Sequence, residues 1–181
     1  GMQTTGYRPL DRFPTERIAP TECDNFYRKQ QLIGYVHDET ACFFGGVQGN
    51  AGLFSNANDL AKLCQMWLNK GTYGNERILS PKTVELFLTE KSSTSRRGLG
   101  FDKPDMENPE KSPTAIEASA STIGHLGFTG TCFWIDPEQE LIYIFLCNRV
   151  YPSRTHDALS QLNIRPELFS TIYRSIKNHS K

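Results

Sequence analysis

The sequence lacks several features that would direct it to a particular partner. Lysine plus arginine number 20 and aspartate plus glutamate also number 20, so the formal net charge is zero. Balanced charge gives no general attraction to nucleic acid or to an anionic membrane, and we expect neither as a partner. No apolar run approaches the roughly 20 residues that a membrane-spanning helix needs, and no signal peptide is recognisable. We therefore predict no membrane span.

The cysteines and acidic residues do not form a metal motif. The five cysteines show no C-x-x-C spacing, and several lie in apolar runs, which favours unpaired thiols packed as small apolar groups over a disulfide framework. The cluster His37–Asp38–Glu39 has no second histidine at helical spacing, so we interpret it as hydrogen bonding within a loop. We expect no metal and no cofactor.

The length and composition suit one soluble domain. The chain has 181 residues, 38% hydrophobic and 22% charged, which is enough for a real core. We divide this single domain into three parts: 1–33, 34–90 and 91–181. The first part is predicted to be an extended segment, because prolines interrupt it. The second is predicted to be helical, and the third to hold a sheet hairpin and a C-terminal helix.

Three helices are predicted from apolar spacing and capping residues. Asn56 caps the first, with Asp59 as its reciprocal partner on the solvent face, and Gly71 ends it. Ser80 caps a short second helix over Pro81–Thr89. The third covers about 166–178 and places five apolar residues on one stripe: Leu168, Phe169, Ile172, Tyr173 and Ile176.

Two strands and a turn follow a polar region. Residues 103–119 are interpreted as a mobile surface loop. Thr131–Ile135 and Leu141–Cys147 are predicted strands, joined by a turn that contains Pro137. Because the run LIYIFLC does not alternate, we predict a central strand that is covered on both faces.

Four stretches in collinear order carry a family resemblance: GYVHDETACFFGGVQGNAGLFSNANDLAKL, RRGLGFD, GHLGFTGTCFWIDPE and FLCNRVYPSR. From about Gly34 to Arg154 the chain resembles the C-terminal half of serine hydrolases of the class C β-lactamase and penicillin-binding-protein type. The resemblance implies an α+β fold, with an antiparallel sheet flanked by helices, that is a partial β-lactamase-like (transpeptidase-like) fold. It also implies a periplasmic or extracytoplasmic location, and a substrate that is a peptidoglycan-like peptide, a β-lactam or an ester.

The family mechanism uses three sequence elements, of which one can be placed here. The third element, Lys-Thr-Gly or His-Thr-Gly, matches His125, Leu126 and Gly127, and the residue after that glycine lends a backbone N–H to the oxyanion hole. The resemblance thus implies catalytic roles for His125 and for the Phe128 N–H, and substrate binding by Leu126, Gly127, Thr129 and Arg154. Leu126 departs from the family threonine and cannot hydrogen-bond a substrate.

The other two elements are not matched. No serine in these 181 residues has a lysine three positions later, so we expect the N-terminal half of a parent chain to supply the Ser-x-x-Lys pair, and no hydrolysis by these residues alone. Tyr73–Gly74–Asn75 matches the second element by letter, and we interpret it as a coincidental turn.

Several alternatives stay open. Arg149, Ser153 and Arg154 could contact a substrate carboxylate or form structural salt bridges. Arg96 and Arg97 are interpreted as a solvated pair. The rival to a hydrolase is a non-catalytic binding or accessory domain, which Leu126 favours. A truncated sheet also predicts exposed apolar surface, with either self-association or capping of that surface by residues 1–30.

Overall fold

The computed structural model describes residues 1–89 and 92–179. Its helices are α1 (Glu39–Phe43), α2 (Ala57–Leu68), α3 (Pro81–Thr89), α4 (Ala158–Gln161) and α5 (Ile164–His179). Its strands are β1 (Cys23–Asp24), β2 (Gln30–Gln31), β3 (Thr72–Tyr73), β4 (Glu76–Arg77), β5 (Ile123–Leu126), β6 (Cys132–Asp136) and β7 (Leu141–Phe145). The predicted helices and the two predicted strands are present, with ends shifted by one or two residues.

The main sheet is antiparallel, in the order β5-β6-β7. His125 lies opposite Phe133, and Trp134 lies between Gly124 and Tyr143. Helices lie on both faces of this sheet, so the predicted α+β class with an antiparallel sheet flanked by helices is confirmed. In the described part of the chain, no helix is both long and apolar enough to cross a bilayer.

The prediction that the second strand is central is wrong for the described sheet. β7 lies at its edge and β6 lies in the middle. Tyr143 is buried while its neighbours in β7 are half-buried. The apolar run does not alternate because helices pack on both faces of the strand. A strand can be covered on both faces and still have a neighbouring strand on only one of its two edges.

Two apolar clusters lie on opposite faces of the sheet. On one face, Phe169 and Tyr173 of α5 pack with Trp134 and Tyr143. On the other, Cys64 of α2 packs with the sheet residues Ile123 and Ile135, and with partly buried Trp67, Phe101 and Phe133. Of the predicted stripe on the C-terminal helix only Phe169 and Tyr173 are buried; Leu168, Ile172 and Ile176 are exposed.

The start of α2 holds the N-terminal segment in place. The Asn56 side chain accepts a hydrogen bond from the Asp59 N–H at 2.9 Å, so the predicted cap is confirmed. Asp59 itself is buried, which corrects its predicted place on the solvent face. Its carboxylate accepts hydrogen bonds from the backbone N–H groups of Thr4 and Thr5 instead of completing a reciprocal cap.

The polar region 103–119 is a surface loop only over residues 106–111, which are exposed, and both of its ends pack into the protein. Thr114 and Ala115 are almost fully buried, and Ala118 joins the aromatic cluster beside α5. All five cysteines are unpaired, as predicted; Cys64 and Cys132 are buried and the other three are half-buried. Burial raises the pKa of Cys64 to about 12, so this thiol stays protonated.

Candidate functional site

The residues that follow β5 form a tight hairpin turn. The Gly127 N–H donates to the Thr131 carbonyl at 2.7 Å, and the Gly130 N–H donates to the Gly127 carbonyl at 3.0 Å. Gly130 has φ +118°, a conformation that suits glycine at the end of a three-residue hairpin loop. A side chain at Gly127 would overlap the Thr131 hydroxyl oxygen. The two glycines therefore allow β5 and β6 to connect through Phe128, Thr129 and Gly130.

The Phe128 N–H points away from the inside of this turn. It belongs to the same peptide unit as the Gly127 carbonyl, which points inward to Gly130. Because the C=O and N–H of a trans peptide point in opposite directions, the Phe128 N–H points out of the turn. Among residues 1–89 and 92–179, no backbone or side-chain group accepts a hydrogen bond from it. The Phe128 residue is 62% exposed, so the turn lies at the protein surface.

The His125 ring is half-buried and both of its nitrogens have partners. Nδ1 lies 2.7 Å from the Leu126 carbonyl oxygen, and Nε2 lies 2.7 Å from Nη1 of Arg97. An arginine can only donate, so Nε2 accepts and Nδ1–H donates to the carbonyl. His125 is thus held as one neutral tautomer. In this arrangement neither ring nitrogen is available as a donor to a substrate.

The other predicted substrate-binding residues of this segment have structural contacts. Leu126 is half-buried and packs against the aromatic cluster on the α5 side of the sheet. The Thr129 carbonyl accepts a hydrogen bond from the Arg149 N–H at 2.9 Å, which joins the turn to the loop after β7. The packing of Leu126 gives a reason for leucine at a position where a threonine hydroxyl would lie beside apolar side chains.

Two side chains contact the Phe128 ring. The Arg149 guanidinium carbon lies 4.4 Å from the ring centroid, and Arg149 Nε donates to the Phe128 carbonyl at 2.8 Å. The His37 ring stacks on Phe128 with centroids 5.6 Å apart and planes at 25°. The turn is therefore held by residues from two distant parts of the sequence.

Arg154, predicted to bind substrate, is engaged by carboxylates of the protein itself. Its Nε donates to both oxygens of Glu22 at 2.8 and 2.9 Å, and its Nη2 lies 2.6 Å from Glu39. The hydrogen bond with Arg154 lowers the pKa of Glu22 to about 2, against the opposing effect of burial. Of the two readings of Arg154, the geometry favours the structural salt bridge.

The His37–Asp38–Glu39 cluster is a hydrogen-bonding loop, as predicted. His37 Nε2 lies 2.9 Å from Glu22, and Asp38 caps α1 by accepting from the Ala41 N–H at 2.7 Å. Within the described ranges, no three His, Cys, Asp or Glu side chains are placed together to hold a metal ion.

Arg96 and Arg97 are partly solvated, with 37% and 49% of their side chains exposed, but both also have partners in the protein. Arg96 makes two hydrogen bonds to the buried carboxylate of Asp102, at 2.7 and 3.0 Å, and Arg97 reaches His125. Asp102 also pairs with Gly124 through two backbone hydrogen bonds, which places both arginines beside β5. Arg97 was missed as a site residue because its partner lies 28 positions away, and no local pattern marks that contact.

Tyr73, Gly74 and Asn75 lie in a small hairpin between β3 and β4, where Gly74 has φ +59°. Thr72 pairs with Arg77 in this hairpin. The glycine supports a tight turn here, which fits the interpretation of the letter match as a coincidence.

Comparison with known proteins identifies the family. The family model for beta-lactamases matches residues 2–164. The chain belongs to the beta-lactamase family. Proteins named as D-alanyl-D-alanine carboxypeptidases, from Salmonella paratyphi B and Salmonella newport, are 35% identical to this beta-lactamase-family chain over 182 residues, which cover 93% of it. The chain spans 40% of the length of these relatives.

Solved structures in the same family are more distant. A beta-lactamase from Mycobacterium bovis is 20% identical, with a TM-score of 0.46 over 61% of this chain and 46% of that protein. A protein described as a beta-lactamase from Bacteroides dorei is 22% identical, with a TM-score of 0.43 over 57% of this chain and 35% of that protein.

Proposed function

We propose that this chain is the C-terminal part of a serine hydrolase that hydrolyses an amide, lactam or ester through an acyl-enzyme. The observation that carries the proposal is the Phe128 N–H, which has no acceptor within the described chain, while the carbonyls of Gly127 and Phe128 on either side of it both accept hydrogen bonds. Family membership supports the reaction class. Relatives named as D-alanyl-D-alanine carboxypeptidases support a peptidoglycan-like substrate and an extracytoplasmic location.

In this mechanism the chain's own groups stabilise the developing negative charge. A carbonyl oxygen about 3 Å from the Phe128 N–H would receive a stronger hydrogen bond as the tetrahedral intermediate forms and the oxygen becomes negative. A fixed backbone dipole needs little reorganisation during the reaction. His125, whose Nε2 is occupied by Arg97, would line the pocket instead of transferring a proton.

The nucleophile would come from the N-terminal half of the parent chain. None of the serines here has a lysine one helical turn later, and a serine needs such a base in hydrogen-bond contact. We therefore expect that the 181 residues alone show no turnover of a chromogenic cephalosporin or of a peptide that ends in D-alanyl-D-alanine. Turnover by the purified 181-residue chain would contradict this division of the site.

Two variants of the parent enzyme test the role of the Phe128 N–H. Phe128→Pro removes this N–H, whereas Phe128→Ala removes the ring and keeps the N–H. Phe128 follows the first residue of the turn, a position that accepts proline. Loss of one oxyanion donor is expected to lower kcat by about 10²- to 10³-fold in the proline variant relative to the alanine variant. Equal kcat values for the two variants would refute the oxyanion assignment.

A non-catalytic binding domain is the second candidate. It is favoured by Leu126, which packs on the core, and by His125, both of whose ring nitrogens are occupied. The N-terminal half of the parent chain distinguishes the hydrolase from the binding domain. A Ser-x-x-Lys pair whose serine is acylated by a β-lactam, detected by the mass increase, supports the hydrolase; a replaced serine with retained peptide binding supports the binding domain.

Exposed apolar groups support association with that N-terminal half or with a second copy. Phe43 and Phe44 at the end of α1 are 77% and 63% exposed. The outer edge of β7 pairs with no other strand in the described chain, and such an edge can accept one. Sedimentation velocity of the 181-residue chain should show species larger than a monomer. A monomer at all concentrations would count against self-association.

A further inference from the structure

The Phe128 ring is exposed, yet it is restrained from two sides. Aromatic side chains on exposed turns ordinarily change rotamer on the picosecond to nanosecond timescale. Here the guanidinium of Arg149 and the ring of His37 both contact the Phe128 ring. Neither residue belongs to the turn, so the contacts need a separate explanation.

Arg149 connects the turn to the loop that follows β7. Its backbone N–H donates to Thr129 at 2.9 Å, and its Nε donates to the Phe128 carbonyl at 2.8 Å. Its Nη1 donates to the carbonyls of Arg154 and His156 at 3.2 and 2.8 Å. These four hydrogen bonds leave the arginine little freedom, so the Phe128 carbonyl is fixed as well.

His37 provides the second restraint. It is 8% exposed, and its Nε2 lies 2.9 Å from Glu22. Glu22 is in turn bound by Arg154 through two hydrogen bonds. The imidazole that stacks on Phe128 is thus part of a buried polar network and does not move independently of the fold.

Together these contacts determine the direction of the Phe128 N–H. The Gly130 N–H binds the Gly127 carbonyl, which lies in the same peptide unit as the Phe128 N–H. Arg149 binds the Phe128 carbonyl, which lies in the next peptide unit. His37 and Arg149 contact the Phe128 ring. With both neighbouring peptide planes and the side chain restrained, the backbone at Phe128 has one orientation. An oxyanion donor acts best when it is oriented before the reaction.

We propose that Arg149 and His37 are positioning residues, which hold the Phe128 N–H in the direction a ligand oxygen requires. This role rests on the proposed function for its purpose, but the restraint itself is measurable without a substrate. For Arg149, we propose this positioning role in place of the contact with a substrate carboxylate that the sequence left open. Its Nε and Nη1 face the protein's own carbonyls.

Backbone ¹⁵N relaxation of the labelled 181-residue chain tests the restraint. The variants are Arg149→Gln, Arg149→Lys and His37→Ala, and the matched control is Arg174→Gln, which breaks an exposed ion pair with Glu117 elsewhere. The Phe128 amide should have an order parameter near about 0.85 in the wild type and the control. It should fall below about 0.6 in Arg149→Gln and His37→Ala, with β6 unchanged. Arg149→Lys keeps the charge but not the planar fork, so an intermediate value is expected.

An unchanged order parameter at Phe128 in Arg149→Gln and His37→Ala would overturn the proposal. If Arg149→Gln does not fold, the Arg149→Lys and His37→Ala variants decide.

A titration with a peptide that ends in D-alanyl-D-alanine distinguishes a failure of the positioning role from a failure of the proposed function. A Phe128 amide shift in the wild type, with about tenfold weaker binding in Arg149→Gln, supports both. Lost order with no peptide-induced shift supports the positioning role and counts against the proposed function. Weaker binding with retained order counts against positioning.

Discussion

Arg97 donates a hydrogen bond from Nη1 to Nε2 of His125 across 2.7 Å. The opposite ring nitrogen, Nδ1, donates to the Leu126 carbonyl at 2.7 Å. Since a guanidinium has no acceptor, this pair selects the tautomer that carries its proton on Nδ1. The histidine that the sequence places beside the turn is therefore oriented by an arginine from a segment that precedes it by 28 positions.

Replacing Arg97 should release that tautomer. In Arg97→Gln, we expect the ¹⁵N chemical shifts of the His125 ring to move from those of a single Nδ1–H tautomer toward a mixture, because Nε2–H is the form usually favoured without a fixed partner. Long-range ¹H–¹⁵N correlation spectra measure this directly. Arg77→Gln, whose guanidinium bonds the carbonyls of Lys70 and Leu79, is the control and should leave the His125 shifts unchanged. A wild-type spectrum dominated by the Nε2–H tautomer would contradict the assigned contact.

The Glu22–Arg154 pair should make stability depend on acid pH. The pKa of Glu22 is lowered from 4.5 to about 2 in the folded protein. A lowered folded-state pKa contributes stability that is present above pH 4.5 and lost as the pH falls toward 2, on the order of 2 kcal/mol for this partly exposed pair. Urea unfolding of the wild type and of Arg154→Met at several pH values measures the loss. The variant should be less stable at pH 7, and its curve should be flatter between pH 5 and pH 2; parallel curves would contradict the role of the pair.

Gly124 allows β5 and β6 to approach each other. A Cβ at this position would overlap the Phe133 carbonyl oxygen and lie 2.5 Å from Cε3 of Trp134. Both are held by the sheet and the core, so we expect Gly124→Ala to lower the free energy of unfolding by about 2–3 kcal/mol. The control is Gly49→Ala, where nothing lies within 4 Å of the added Cβ. That change should stay within about 0.5 kcal/mol in urea unfolding; equal effects would show that the close approach is not limiting.

The aromatic contacts of α5 should dominate its attachment to the sheet. Phe169 is fully buried and stacks on Tyr143 with centroids 4.5 Å apart and planes at 7°. Phe169→Ala removes this contact and leaves a cavity, so we expect a loss of about 3–5 kcal/mol. Leu168→Ala, at a neighbouring position that is 44% exposed, should cost less than about 1 kcal/mol. Thermal unfolding of both variants measures the difference, and similar losses would mean that α5 packs by another face.

The elements predicted correctly depend on local patterns. The spacing of apolar residues from Leu60 to Leu68 and the cap at Asn56 involve residues three or four positions apart, and such contacts form within one helix. The stretches that carry the family resemblance are also local strings, and the family model confirms them over residues 2–164. The hairpin turn after β5 was not predicted as a turn, although Gly130 at its end permits a backbone conformation that other residues avoid.

The predictions that failed involve charged side chains and the ends of the sheet. Asp59 was placed on a solvent face, but its partner Thr4 lies 55 positions away. For Arg154 the sequence left substrate contact and a structural salt bridge open, since its partner Glu22 lies 132 positions away. A carboxylate or guanidinium can pair with any opposite charge that the fold brings near, so its partner cannot be read from its neighbours in the chain. The same holds for β7, whose composition reports covered faces but not which strands lie beside it.

The amino-acid order alone determined the family, the class of fold and the string GHLGFTG as the candidate site, in which the structure forms the turn that contains Phe128. Each of these depends on short strings or on helical and strand periodicity. The tertiary structure decided which groups around that turn remain available. Hydrogen bonding leaves the Phe128 N–H open within the described chain but occupies both nitrogens of His125 and engages Arg154, because a polar group's availability depends on every acceptor and donor that folding brings within about 3 Å.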